Sequence, residues 1–299
     1  MEANNTCIVF GAAGYIGRHL VRTLKDSGFN IMAYDVGEKI ESFDIDYSRI
    51  DISHAGELQG IDWNVGYVFM FAGITGTWHG FENYDKYVKV NEIGLQKVLH
   101  AIVKSEHRPR IIYPSSRLVY KGSDLPLKED DQKETKTIYA INKIACENLL
   151  YAYMNSFGIP YTIYRICVPY GNNFGDDYSF GTIGSFLNQA MKKGAINLYG
   201  DGSLRRTLTH IEDICKQIIH SCQSSKSVNQ VYNTIGEEYS LKETALMIAE
   251  KHGAKLTFSD WPEKDHRIES GHTVFDSQKL QNDFNLELKH SFKEWLSDQ

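Results

Sequence analysis

Proline is scarce in this chain, at 6 of 299 residues, which leaves no Pro-rich linker, and there is no internal repeat or low-complexity tract. Cysteine is scarcer still. Cys7, Cys146, Cys167, Cys215 and Cys222 are odd in number and irregular in spacing, and no two form a CxxC pair. Zinc-ribbon and thioredoxin-like patterns are therefore weak, and reduced, mostly buried thiols in a cytoplasmic protein are the simplest reading. The 11 histidines are scattered without an HExxH, so no metal is expected. Positive charge is in deficit: 32 basic against 38 acidic residues leave a net charge of −6. With no long basic run, a nucleic-acid partner is not expected. Met1-Glu2-Ala3-Asn4-Asn5 lacks the basic and then apolar pattern of a signal peptide, and no apolar run is long enough to span a bilayer. The expectation is a cytoplasmic chain with no membrane partner, in which an anionic substrate is held by a few local arginines.

What the chain does have is apolar content and alternation. At 42% hydrophobic, it can bury one large core, or a large domain with a smaller one. Thr6–Phe10, Asn30–Tyr34, Tyr67–Ala72, Arg110–Tyr113 and Tyr161–Val168 read as strands. Tyr15–Ser27 places Ile16, Leu20, Val21 and Leu24 at helical spacing, with Gly28 as its stop, and Tyr84–Ser105 and Tyr139–Phe157 read as long helices. This alternation predicts an α/β fold with a doubly wound parallel sheet, Rossmann-like, over residues 1–170. Asn172–Asp177 reads as a loop. Residues 171–299 carry shorter elements: helices Ile183–Lys193, Glu212–Cys222 and Leu241–His252, and strands Asn197–Tyr199 and Val231–Ile235. They read as a smaller mixed α/β C-terminal substrate lobe, whose elements are free to interleave with the first domain. Ligands of open α/β sheets bind at the carboxyl ends of the strands.

Three motifs carry chemistry. Gly11, Gly14 and Gly17 follow a strand and open a helix. Glycine there lets the backbone turn tightly and approach a pyrophosphate, which the helix N-terminus then meets with N–H groups and a positive dipole. Asp35 ends the second strand, 18 residues beyond Gly17. An acid there accepts bonds from ribose hydroxyls and repels a 2′-phosphate, favouring NAD over NADP. Asp51-Ile52, after a third strand, is placed to hold the adenine. Finally, Tyr139 and Lys143 are four apart on an expected helix and share a face. A free phenol with a pKa of about 10 is a poor base at neutral pH. A neighbouring ammonium favours the phenolate and is expected to bring that pKa down. Ser116, after the strand Arg110–Tyr113, is placed to align a substrate oxygen with Tyr139.

Taken in order, Gly11-x-x-Gly14-x-x-Gly17, Asp35, Asp51-Ile52, Phe71-Ala72-Gly73, Asn91, Ser115-Ser116-x-x-Val119-Tyr120, Tyr139-x-x-x-Lys143 and Arg165-x-x-x-Pro169 span most of the chain. The set resembles the extended short-chain dehydrogenase/reductase family in its nucleotide-sugar epimerase/dehydratase branch. Gly200-Asp201-Gly202-Ser203-x-x-Arg206-Thr207-x-x-His210-Ile211-Glu212-Asp213 resembles that branch's second-lobe signature. The resemblance implies that Tyr139 is the general acid/base, that Lys143 binds the nicotinamide ribose, and that Ser116 bonds the sugar oxygen being oxidised. It implies an NAD site lined by Gly11, Gly14, Tyr15, Ile16, Gly17, Asp35, Asp51, Ile52, Ala72, Gly73, Asn91 and Pro169, together with Tyr139 and Lys143. It implies substrate contacts from Thr75, Ser116, Val168, Arg206 on the diphosphate, and Arg267 as a second phosphate contact. It also implies a homodimer paired through helices Tyr84–Ser105 and Tyr139–Phe157.

The departures are informative. Dehydratases of the branch carry an acidic pair directly after the catalytic Ser/Thr, where this chain has Arg117 and Leu118. Without a carboxyl group, elimination of water from C6 lacks its acid and base. Val168 stands where many relatives have a substrate-binding Asn, and Lys121 and Thr207 replace the usual Gly and Asp. The expected activity is an NAD-dependent nucleotide-sugar epimerase acting through a transient 4-keto sugar, similar to UDP-glucose 4-epimerase. The alternatives are an NAD(P)H-dependent nucleotide-4-keto-6-deoxysugar reductase, which uses the same residues without the return step, and a non-enzymatic NAD-sensing or scaffold protein.

Overall fold

The computed structural model describes residues 5–38, 44–174 and 180–299. Gly175-Asp176-Asp177 of the expected loop lies outside them. The chain forms two compact units. The first comprises Met1–Val119, Thr137–Arg165 and Ile218–Tyr232; the second comprises Tyr120–Lys136, Ile166–Gln217 and Asn233–Gln299.

The first unit is built on a sheet of β1 (Thr6–Phe10), β2 (Asn30–Asp35), β3 (Asp46–Arg49), β4 (Tyr67–Met70), β5 (Arg110–Ser116), β6 (Tyr161–Ile166) and the strand Gln230–Asn233. The order is Gln230–Asn233, β6, β5, β4, β1, β2, β3. The pairings of β1 with β2, β1 with β4, β2 with β3 and β4 with β5 are all parallel. Strand order reverses direction between β1 and β4, the switch point of a doubly wound sheet, where ligands of such sheets bind at the carboxyl ends. Cys7 to Phe10 and all of β4 are buried, which is why these central strands read as unbroken apolar runs.

Helix Tyr15–Asp26 turns Gly17, Leu20, Val21 and Leu24 inward and ends before Gly28, which adopts φ 77°. Helix Ile138–Phe157 is opened by Thr137, whose hydroxyl accepts from Ala140 N at 3.1 Å, and closed by Gly158 at φ 67°. The expected helix Tyr84–Ser105 is helical to Lys104 but not uniform: a π-helical turn, Val88–Ile93, separates Tyr84–Tyr87 from Gly94–Lys104. Leu95, Val98, Leu99 and Ile102 from this segment, with Cys146 and Leu150, pack on Ile8, Val68, Met70 and Ile111 of the sheet. The apolar stripes of both helices are thus largely consumed inside the unit, leaving Tyr84, Ile93, Ile141, Tyr151 and Phe157 exposed.

In the second unit, Arg205–His210 pairs antiparallel with Glu237–Ser240 and parallel with Val168–Tyr170. Ala195–Tyr199 pairs parallel with Lys255–Ser259. Helices Gly181–Lys193 and Leu241–His252 join them, the latter opened by a capping box of Ser240 and Glu243. The strands Arg205–His210, Glu237–Ser240 and Lys255–Ser259 were not anticipated: in the first two, polar residues leave no period-2 signal, and the third, though it alternates, is only five residues long. A single division at residue 170 does not describe the units. Tyr161–Val168 splits after Arg165, Gln230–Asn233 returns to the first sheet, and 120–136 stays with the second unit. That last segment is held there by a bond from Asn233 Nδ2 to Leu127 O at 2.8 Å and one from Tyr120 Oη to Asn233 Oδ1 at 2.7 Å.

Among the described residues, no helix is long and apolar enough to cross a membrane.

Candidate active site

Ser116 is the last residue of β5 rather than a loop residue after it. Its hydroxyl lies near enough to Tyr139 to favour the phenolate, and it accepts from Leu118 N at 3.2 Å. Tyr139 and Lys143 occupy the first two turns of helix Ile138–Phe157. Lys143 Nζ lies 5.5 Å from the Tyr139 ring centroid and 4.5 Å from that of Tyr113, and it donates to Pro114 O at 2.5 Å. The three expected catalytic groups therefore meet.

Their ionisation differs from the sequence expectation. Burial pushes the Tyr139 phenol well above its ordinary range, against the lowering influence of Ser116, while Tyr87 and Cys146 add to the rise. Removing water from around a phenolate outweighs the nearby cation here. Burial also lowers Lys143, to about 8. Tyr139 thus rests as a phenol, and Lys143 carries its charge at neutral pH.

The glycine segment is a close-approach site. A Cβ on Gly11, which sits at φ +83°, would lie 2.3 Å from Ala72 N, and one on Gly17 would lie 1.9 Å from Gly11 O. Gly14 begins helix Tyr15–Asp26 with no side-chain cap, so the first amides, including those of Tyr15 and Ile16, have no side-chain acceptor from the N-cap. A dinucleotide pyrophosphate fits this cradle. Asp35 ends β2, and its carboxylate accepts from Ala13 N and Gly37 N, both at 2.9 Å. The β2–β3 register sets Arg49 opposite Asp35, a basic neighbour that sequence reasoning missed. Its guanidinium is paired with Glu38 at 2.9 Å. Asp51 is partly buried, which raises its pKa, but bonds to Ser53 outweigh this and hold the carboxyl low. Ile52 is buried against Gly94.

Asn91 sits in the π-helical turn and is buried. Its Oδ1 accepts from Ile74 N at 2.7 Å and its Nδ2 donates to Ile74 O at 3.0 Å, which fastens the loop Ala72–Gly73–Ile74–Thr75 after β4. Thr75 is exposed, and its carbonyl accepts from Tyr87 Oη at 2.6 Å.

The remaining candidates belong to the second unit. Val168 is buried, and Pro169 follows it in the same strand. Arg206 is neither solvated nor open: it is 2% exposed, pairs with Glu269 at 2.7 Å, and donates to Arg205 O at 2.9 Å and Gly271 O at 2.5 Å. Arg267 is exposed and pairs with Glu263 one helical turn away. His210, Glu212 and His290 bring potential metal-ligand atoms within 4.8 Å of one another. The two imidazoles, however, stack with centroids 4.1 Å apart at 27°, and an ion in the plane of one ring would not lie in the plane of the other. Asp213 at 3.2 Å from His290 and Lys216 at 3.1 Å from Glu212 account for the cluster as an ion-pair network at a helix start.

The fold and this Ser–Tyr–Lys centre define a dinucleotide-dependent α/β enzyme. Residues 7–235 match the model of the NAD dependent epimerase/dehydratase family, and the chain belongs to that family. It is 27% identical over 277 residues to the uncharacterized UDP-glucose epimerase YtcB of Bacillus subtilis, covering 85% of this chain and 84% of that protein. It is 27% identical over 231 residues to a UDP-glucuronate 4-epimerase of Thermodesulfobacterium geofontis, covering 72% and 70%. The structure of Thermus thermophilus UDP-glucose 4-epimerase in complex with NAD superposes with a TM-score of 0.85 at 21% identity, covering 97% of this chain and 96% of that one.

Proposed function

We propose that the chain is an NAD-dependent nucleotide-sugar epimerase that works through a transient 4-keto sugar. The observation that carries this is the grouping of Tyr139 with Ser116, which favours its phenolate, and with Lys143, whose Nζ lies 5.5 Å from its ring, at the carboxyl end of a parallel strand. NAD, when bound, supplies the hydride acceptor. Ser116 holds the C4 oxygen of the sugar. Tyr139, as phenolate, takes the C4 hydroxyl proton while the C4 hydrogen leaves as hydride, which produces the ketone. Because Tyr139 rests as a phenol, its own proton must leave before it can act as the base, and the charge on Lys143 lowers the cost of that loss. After the keto sugar turns over, hydride returns to its opposite face and the Tyr139 phenol gives the proton back. Leu118 meets Ser116 through its backbone N–H, and neither it nor Arg117 offers the carboxyl group that elimination would use.

The residues named for the NAD site, the diphosphate contact of Arg206, a second phosphate contact from Arg267, a cytoplasmic location and a homodimer belong to the same reading. Exposed Ile93, Ile141 and Tyr151 support the homodimer. Buried Val168, which offers a substrate no amide, keeps the nucleotide-4-keto-6-deoxysugar reductase as the second reading. The test is incubation of the purified protein with UDP-, CDP-, GDP- and dTDP-hexoses and no added reductant, with products resolved by chromatography. Interconversion of a C4 epimer pair is expected. If no pair interconverts, and a 4-keto sugar is reduced once NADH or NADPH is supplied, the reductase reading replaces it.

A further inference from the structure

We infer that Asn142 is a positioning residue. It couples the catalytic helix to the loop that lines the cofactor site, and so sets Tyr139 and Lys143 in register with Ala72–Thr75. The inference rests on the epimerase reading for its consequence in turnover, but not for its structural content.

Helix Ile138–Phe157 presents two neighbouring stripes. Tyr139 and Lys143 form the first. Asn142 and Cys146, again four apart, form the second, and both grip Asn91. Asn142 is wholly buried. Its Oδ1 accepts from Asn91 Nδ2 at 3.2 Å, and its Nδ2 donates to Glu92 Oε1 at 2.6 Å. Cys146 Sγ donates to the Asn91 carbonyl at 3.2 Å. Asn91 in turn reads both backbone groups of Ile74.

The polarity of this chain of bonds is determined throughout. Asn91 must turn Oδ1 to the Ile74 N–H and Nδ2 to the Ile74 carbonyl. Its remaining Nδ2 proton needs an acceptor, which is Asn142 Oδ1. Asn142 Nδ2 is then left to donate, and Glu92 supplies the carboxylate. A buried network of this kind holds its members in one arrangement only when every donor and acceptor is satisfied. Alanine at 142 would fill the helix equally well but would leave Asn91 Nδ2 a donor short of a partner. The loop would then lose its fixed distance from Tyr139, and a misplacement of about 1 Å can lower a rate by about a hundredfold.

The test uses the full chain and two readouts. Amide hydrogen exchange at Ile74 is measured in wild type, Asn142→Ala, Asn142→Asp and the double variant Asn142→Asp/Glu92→Gln. Aspartate accepts from Asn91 but repels Glu92; glutamine at 92 restores a donor to it. Exchange at Ile74 is expected to rise at least tenfold in both single variants and to return to within threefold of wild type in the double variant. On the nucleotide sugar that the wild type converts, kcat is expected to fall at least tenfold in Asn142→Ala with KM within twofold, and to recover in the double variant. Unchanged exchange at Ile74 in the single variants overturns the coupling, whatever the protein's substrate proves to be. Raised exchange with unchanged kcat overturns the positioning role. Should Asn142→Ala fail to fold, the comparison of Asn142→Asp with the double variant decides alone, and equal exchange and turnover in the two overturns the inference. A wild type inert on every sugar counts against the epimerase reading, while the exchange result still stands or falls by itself.

Discussion

Lys143 donates its ammonium to the carbonyl of Pro114 at 2.5 Å, two residues before Ser116 on the same strand. One bond thus ties the second turn of helix Ile138–Phe157 to the strand that carries Ser116. It also explains how a buried cation is held at all: a carbonyl and the Tyr113 ring at 4.5 Å replace part of its lost water.

Burial of that cation predicts a pH dependence of stability. The Lys143 pKa falls from 10.5 unfolded to about 8 folded. Below pH 8 both states hold the proton, and the folded state bears the full desolvation penalty, about 3 kcal/mol. Between pH 8 and 10.5 the unfolded state binds more protons, so stability rises with pH. Relative to Lys143→Met, the wild type should gain stability across that window, measured by chemical denaturation at pH 7, 8, 9 and 10. A difference between the two proteins that does not change with pH would contradict the burial of a charged Lys143.

Tyr139→Phe should abolish turnover and leave the fold and NAD binding nearly intact. Only the hydroxyl moves a proton, and its structural partner, Ser116, keeps its bond from Leu118 N. A rate loss on the order of hundreds-fold is expected for a lost acid/base. Activity within a few-fold of wild type would remove Tyr139 from that role.

Asp35 predicts tighter binding of NAD than NADP, and Asp35→Ala should relax the preference. Because Arg49 lies opposite Asp35 and is paired with Glu38, the double variant Asp35→Ala/Glu38→Gln should relax it further by freeing the guanidinium for a 2′-phosphate. Calorimetric titration of both cofactors checks this, and NADP binding as tight as NAD in the wild type would refute it.

Arg206→Ala should destabilise the protein by about 3–5 kcal/mol, the range for breaking one partner out of a buried pair. Glu269 and the carbonyls of Arg205 and Gly271 lose their donor together. Arg206→Ala/Glu269→Gln should recover part of that loss. If stability is unchanged while KM for the nucleotide sugar rises, the guanidinium serves the substrate and not the second unit's framework.

Much of the first unit was legible because its signals are local. Gly11 and Gly17 are read from their spacing because no side chain fits where their hydrogens sit, and Tyr139 with Lys143 is read from helical period alone. Asp35 was legible as the end of an apolar strand. The strand Arg205–His210 was not legible, because polar residues that are buried by neighbours distant in sequence carry no periodic signature, and Glu237–Ser240 is short, mostly polar and only partly buried. The π-helical turn at Val88–Ile93 was likewise hidden, since its Asn91 answers to Ile74 and Asn142 and not to adjacent residues.

By itself the sequence determined the doubly wound architecture, the close-approach turn at Gly11 and Gly17 and the shared helical face of Tyr139 and Lys143, because each rests on backbone sterics and on periods of two to four residues. Only the tertiary structure decided how those groups behave. Tyr139 rests as a phenol and Lys143 titrates near 8 because burial, not sequence neighbours, sets the energy of a charge. Arg206 is drawn into an ion pair with Glu269, 63 residues away, and Asn142 reaches Glu92 across 50. Such pairs form where folding brings groups out of water together, and no local pattern records that meeting.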